Sequence, residues 1–399
     1  MPQLTILQAN TLIDELRKKP VPANSEPEDL LRRLETNIDV VQHENCYRVQ
    51  LTADGKVASW LTIFDYQQRV GGALLRLGAI AGVGTDDHYR FRGLSRRVIV
   101  NALRWMRQQG FDVTMLFGIP SFYPKFGFTP VLPNVSASIA VRDAEDVVPT
   151  GYRIVNYEKE LHDANLLAMY HANNARRTGT ILRDPAAWSP RHGSGWNTKS
   201  LWKLVLDRRG RPAGYFAHDS AYPAVTLLEV GFATPAIFPD VLRFVAEMAL
   251  AQRVEKIAIA LPEDHEFIAF CKPLGISVEQ RYRRDGGAMV RMIYAASTLR
   301  KLAPVIGPRL KGKGRLTLIT NSETVSLSWS GKQLAVADGP GDGANVSLPQ
   351  WALAQMIYGY RKPSALAGEG VIKAPARALA ILERIFPLQA QYFYSVDEF

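Results

Sequence analysis

Residues 89–97 read YRFRGLSRR, four arginines in nine positions with no acid among them. Guanidinium groups make forked, charge-assisted hydrogen bonds to phosphate. Gly93 sits among them, and a residue without a β-carbon lets a phosphate come close to the main chain. An amphipathic run begins at once, and a helix N-terminus adds unpaired N–H groups with partial positive charge. Residues 90–96 therefore suit a phosphorylated ligand. The plainer reading is a solvated basic helix start. It leaves arginines opposing the helix dipole, a cost that a bound anion removes.

A loop of this kind needs a strand before it and a helix after it. Residues 46–84 read as successive strands, with turns at Asp54-Gly55 and Gly71-Gly72. Leu94, Val98, Ile99, Ala102, Leu103 and Met106 then recur at helical spacing up to Gly110. Residues 112–118 form an apolar strand and 121–128 a short helix or turn, so the loop lies beside a sheet in a βαβ-like unit. Two short helical patterns precede all this, at 12–19 and 27–36.

The text turns polar near residues 145–152, which marks a boundary. Strand patterns at 202–207, 214–219 and 225–233, a helix at 238–252 and a strand at 256–262 repeat the first section. No arginine–glycine loop follows the third of those strands. A final section carries strands at 315–320, 324–330 and 333–338, then helical patterns at 348–360 and 375–386. The fold class is α/β (α+β), in three domains: 1–148, 149–298 and 299–399.

Composition excludes several functions. The net charge of +10 divides as +1, +5 and +4 over 1–150, 151–300 and 301–399, so no domain is strongly basic. No basic region interleaves with stacking aromatics, and nucleic acid is not expected as a partner. The one basic tract, 309–316, is short and glycine-broken and reads as a linker. Two cysteines and seven scattered histidines offer no disulfide framework and no metal-ligand spacing, so no metal is expected. No run reaches the ~18 apolar residues of a membrane helix and no signal-peptide pattern opens the chain, which makes the cytoplasm the expected location.

The segment VGTDDHYRFRGLS resembles motif A of the GCN5-related N-acetyltransferases (GNAT). Val83, Thr85, Arg90, Gly93 and Ser95 occupy its positions, with Ser95 where glycine or alanine is usual. FYPKFGF resembles the Y-x-x-x-G-F segment that closes such a domain, through Tyr123, Gly127 and Phe128. The three-part layout is similar to the Eis-type (enhanced intracellular survival) acetyltransferases: a GNAT domain, a degenerate GNAT-like domain and a domain resembling a sterol carrier protein. The similarity covers roughly residues 45–399.

The resemblance implies direct transfer of acetyl from acetyl-CoA to an amine on a small molecule or peptide, such as an aminoglycoside, a polyamine or a lysine side chain. It also implies a homo-oligomer, a hexamer in that family. The strand ending in Val83, Gly84 and Thr85 would splay from its neighbour and expose backbone groups to pantetheine. An N–H near Val83 would polarise the thioester carbonyl. Arg90, Phe91, Arg92, Gly93, Leu94, Ser95 and Arg96 would hold the pyrophosphate, and Tyr123 would protonate the departing thiolate.

Eis-type enzymes use the carboxylate of the last residue as base, which here is Phe399. Direct proton transfer from an ammonium to a free α-carboxylate is uphill by roughly 9 kcal/mol. Burial and repulsion from Asp397 and Glu398 narrow that gap, or the carboxylate anchors the ammonium while water takes the proton. The competing reading is a non-catalytic acyl-CoA or lipid-binding protein whose third domain holds an apolar ligand.

Overall fold

The computed structural model describes residues 36–44, 46–186, 188, 200–221 and 224–399. The helical patterns expected at 12–19 and 27–36 lie outside these, apart from Thr36, the first residue of β1.

Four strands open the first sheet as a meander: β1 (Thr36–Gln42), β2 (Cys46–Ala53), β3 (Lys56–Val70) and β4 (Ala73–Thr85). Their turns fall at 54–55 and 71–72, where the sequence has its Asp-Gly and Gly-Gly pairs. Helix α1 (Leu94–Gln108) follows, and β5 (Val113–Gly118) returns parallel to β4. The six apolar positions that predicted α1 are its buried residues. The helix packs close: a β-carbon at Gly78 of β4 would lie 2.3 Å from Met106 Sδ.

The second sheet repeats the plan. After β6 (Thr129–Pro130), β7 (Asn134–Ala140), the short helix α2 (Val141–Ala144), β8 (Arg153–Asn156) and α3 (Lys159–Asn173) come β9 (Leu201–Leu206), β10 (Pro212–Asp219) and β11 (Val225–Phe232). Helix α4 (Phe238–Ala251) then leads to β12 (Lys256–Ile259), parallel to β11. Helix α5 (Glu266–Cys271), β13 (Ser277–Arg281) and β14 (Gly287–Met292) complete the section.

Two strands are exchanged between the sheets. The orders are β1-β2-β3-β4-β5-β14-β6 and β13-β7-β12-β11-β10-β9-β8. Strand β7 therefore enters the second sheet and β14 the first, which ties the two halves together by main-chain hydrogen bonds. Helix α6 (Ala295–Ile306) leads to a third sheet of β15 (Lys313–Ile319), β16 (Thr324–Ser330), β17 (Gln333–Asp338) and β18 (Ala344–Ser347), in the order β17-β16-β15-β18. Helices α7 (Gln350–Ile357), α8 (Pro363–Gly368) and α9 (Ala376–Ile385) close the chain before a tail that ends at Phe399.

The tract at 309–316 is not all linker. Strand β15 begins at Lys313, because Leu316 is buried and Gly314 lies under the Trp329 ring, where a β-carbon would come within 2.2 Å. Lys313 and Arg315 of this strand are exposed. Among the described residues, no helix is long and apolar enough to cross a membrane.

Candidate active site

Strand β4 leaves β5 early. Leu77, Gly78 and Ala79 pair with Val113, Thr114 and Met115, and no further β4–β5 pairing follows. From Ile80 to Thr85, β4 runs on beside β3 alone, while β5 continues beside β14 to Gly118. Between them the sheet is split, and backbone groups along one edge of β4 are left without a strand partner. A bulge sits in this stretch, where Gly82 and Val83 together face Leu61. Gly82 adopts φ +55°, and Val83 follows it half-buried. Gly84 is held against the Trp60 ring, with its carbonyl accepting from Ser59 Oγ at 2.8 Å. The Thr85 hydroxyl is 2.9 Å from the same Ser59 oxygen.

The arginine loop lies beyond the end of β4. Phe91 and Gly93 both have positive φ, 63° and 71°, the left-handed backbone from which anion-binding nests are built. Gly93 caps α1 with no side-chain hydrogen bond, and the first turn carries no acid. The helix N-terminus therefore presents its donors uncapped. Leu94 is buried and anchors the turn, so it offers a ligand only its main chain. Arg90, Arg92 and Arg96 are exposed; Arg90 pairs with Asp87 at 2.8 Å, and Arg92 lies 5.7 Å from the Tyr89 ring centre. Ser95 is half-buried beside them, and Phe91 is 93% exposed at the tip.

From Arg96 a groove of about 800 Å³ runs along α1 toward the third sheet. Val100, Leu103 and Phe126 give it an apolar floor, and Arg104, Lys125 and Arg291 line it with positive charge. The Arg291 Nε is buried without a hydrogen-bond partner among the described residues, and burial lowers this guanidinium's pKa. Glu323, the acid of the lining, is engaged by Arg107 at 3.2 Å and by the Ala295 N–H at 3.0 Å. The groove does not include Tyr123 or Phe399.

Those two residues meet at the end of β5, from opposite faces. Alternation along a strand puts Leu116 and Gly118 on one face and Phe117 on the other. Tyr123, in the short turn Tyr123–Phe126, packs over Gly118, whose β-carbon would lie 2.7 Å from the Tyr123 ring. Leu116, Tyr123 and Phe128 share the core on which α1 rests. Tyr123 is 8% exposed, its hydroxyl bonds no described residue, and burial raises its pKa, so it holds its proton at neutral pH. On the other face the Phe399 ring lies 5.4 Å from Phe117, 6.0 Å from Phe393 and 6.2 Å from Tyr66. The chain end is docked against the sheet beside the split.

The sequence argument missed what holds this end. Asp397 is no free charge repelling the terminus; it is buried on the guanidinium of Arg183. Glu398 is partly buried, and burial pushes its carboxyl up. Arg183 carries no periodic signal, and its partner is 214 positions away. No group of three or more histidine, cysteine or acidic side chains is placed to hold a metal among the described residues.

A mixed sheet split beside an uncapped basic helix start, with a buried tyrosine at the opposing strand, is the framework of an acyl-CoA-dependent acyltransferase. Comparison with known proteins agrees. The acetyltransferase (GNAT) domain family matches residues 21–131, and the sterol carrier protein domain family matches residues 317–394. The chain is a GNAT-domain acyltransferase with a C-terminal sterol carrier protein domain.

Its whole-chain fold is similar to that of Eis1 from Mycobacterium abscessus, with TM-score 0.65 and 14% identity over 98% of each chain. A GCN5-related N-acetyltransferase from Anabaena variabilis matches at TM-score 0.71 and 17% identity, covering 99% of this chain and 98% of its own. A conserved protein from Enterococcus faecalis V583 matches at 0.75 and 16%, covering 98% and 96%. At these identities the likeness is one of fold. No curated protein matches the sequence.

Proposed function

We propose that the protein transfers the acetyl group of acetyl-CoA directly to a primary amine at the split between β4 and β5. The observation that carries this is the strand pairing that stops at Ala79–Met115, with the uncapped arginine loop immediately beyond it. Pyrophosphate on the N–H groups of residues 93–96 and on Arg90 and Arg92 would direct pantetheine along the free edge of β4. The groove that begins at Arg96 would take the adenosine end.

In this reading the amine approaches from the Phe399 face and the thioester from the Tyr123 face. The amine nitrogen attacks the carbonyl carbon, and the negative oxygen that forms is held by a backbone N–H near Val83. Collapse breaks the carbon–sulfur bond. Tyr123, protonated through its raised pKa, gives its proton to the leaving thiolate. The nitrogen's surplus proton passes to the Phe399 carboxylate, directly or through water. Approach from two faces of one split sheet supports simultaneous binding of both substrates, because neither then blocks the other's entry.

The test is turnover of acetyl-CoA with aminoglycosides, polyamines and a lysine peptide, reading free thiol and the mass of the acetylated amine. Thiol release that depends on the amine supports the proposal. Tight acetyl-CoA binding with no thiol released by any amine would instead make the protein a carrier.

A further inference from the structure

The split recurs in the second sheet, but there it is filled. Strand β11 pairs with β12 at Val225, Thr226 and Leu227, and Glu229 and Val230 lie beyond the last pair. On β4 the corresponding stretch is open. On β11 the Val230 carbonyl accepts from His265 Nε2 at 3.0 Å, since the other ring nitrogen accepts from the Phe267 N–H. Tyr392, Tyr394 and Val396 of the C-terminal tail belong to the core around Leu228 and Val230.

At the centre of this filling is a buried cation shared between two acids. Arg183 Nη1 and Nη2 donate to Glu229 Oε1 and Oε2 at 2.7 and 2.5 Å. Its Nε and Nη2 donate to Asp397 Oδ1 and Oδ2, both at 2.9 Å. Trp188 Nε1 adds a bond to Asp397 Oδ1 at 3.1 Å, and Tyr170 OH, which donates to the Ile181 carbonyl at 2.9 Å, lies 3.4 Å from Oδ2. The guanidinium also lies 3.6 Å from the Tyr170 ring centre. Arg69 lies 5.7 Å from that same ring centre and donates to the Ile181 carbonyl at 2.5 Å.

The tail's main chain is seated as well. Tyr392 N donates to Thr178 O at 2.9 Å, and the strand-like stretch carrying Thr178 is bonded in turn to the end of β3. Arg69 N reaches Thr180 O at 2.7 Å, and Leu182 N reaches Gln67 O at 2.7 Å. The tail, the second sheet and β3 of the first sheet are thus one bonded array. Asp397 lies two residues before Phe399, a span of at most about 7 Å. A buried ion pair returns little net stability over well-packed apolar groups; what it supplies is a fixed geometry.

We propose that the opening of the second sheet is an intramolecular docking site for the chain's own C-terminal segment. Asp397 is the ligand it grips, and Arg183 is a positioning residue that fixes where the terminal carboxylate stands. The docking stands on the contacts above; its catalytic consequence rests on the reading of Phe399 given under Proposed function.

Full-length Asp397→Asn tests it, because asparagine keeps the shape and Arg183 keeps Glu229. The measurements are hydrogen exchange of the peptide covering 392–399, acetyl-CoA affinity and steady-state kinetics. Expected is at least ~10-fold faster exchange confined to the tail, unchanged acetyl-CoA affinity, and kcat lower by about 10², as for a misplacement near 1 Å. Asp397→Glu restores the charge and should recover part of the tail's protection.

Native tail protection in Asp397→Asn overturns the proposal. Loss of protection with native kcat supports the docking site and removes the catalytic reading of the terminus, so the two failures are distinguishable. Should Asp397→Asn not fold, Trp188→Phe deletes a single hydrogen bond to Asp397 and must still loosen the tail several-fold; tail exchange at the native rate in that variant overturns the proposal.

Discussion

At Gly93 the backbone is left-handed, φ +71°, at the head of a helix with no side-chain cap. An alanine β-carbon there would meet no protein atom within 4 Å. The fold therefore loses only the strain of a left-handed alanine, about 1–2 kcal/mol. Whatever lies against the helix N-terminus loses more. If that is pyrophosphate, Gly93→Ala pushes it off at least one charge-assisted hydrogen bond, worth about 1.5–3 kcal/mol. At 1.4 kcal/mol per decade, acetyl-CoA should bind ~10- to 100-fold more weakly. Isothermal titration gives the affinity, and a thermal melt confirms that the variant is folded. Arg92→Ala, which removes an exposed guanidinium, should weaken binding over the same range. Unchanged affinity in both folded variants would refute the phosphate cradle.

Three further outcomes follow from the geometry. Tyr123→Phe should lower kcat by roughly 10²–10⁴ at nearly constant acetyl-CoA affinity, and near-normal turnover would leave Tyr123 a packing residue. Gly179→Ala should destabilise the protein by about 2–4 kcal/mol, because φ is +102° and the new carbon would lie 2.5 Å from the Tyr392 carbonyl oxygen; a denaturant titration reads this. His218 and His265 are buried, and burial depresses both to about 4 from the ordinary 6.5. Unfolding then takes up protons between those values, so their stabilising effect is complete above pH 6.5 and is lost as pH falls toward 4. The denaturation midpoint should drop between pH 7 and 5, and His265→Gln should flatten that slope.

The helix α1 was legible because its apolar positions repeat at 3.6 residues, and those positions are the ones buried. The turn at 71–72 was legible because Gly71 supplies the positive φ that the hairpin uses. The loop at 90–96 stood out because four arginines gather around one glycine at a helix start; the acid that Arg90 pairs with, Asp87, lies just outside that stretch. The exchange of β7 and β14 was not. Strand β7 alternates, which says that one face is buried but not which sheet buries it, while β14 is buried on both faces, Met289 in one core and Val290 in another, and its apolar residues name no partner. Nor was the clamp on the tail, since a lone Arg183 and an acid near the terminus acquire meaning only when folding brings them to 2.9 Å. The 309–316 tract misled because its lysines and glycines carry linker composition, while Leu316 alone marks the strand within it.

The central claim is that acetyl transfer occurs where Tyr123 and the chain end meet β5 from opposite faces. Appending one alanine after Phe399 tests it most directly. The extension moves the terminal charge by up to ~3.6 Å and leaves the loop at 90–96 untouched. Amidating the terminus removes the charge without adding length. Both forms should melt with the native protein, bind acetyl-CoA with native affinity and lose at least about 10²-fold in amine acetylation. Acetylation at the native rate by either form would contradict the account.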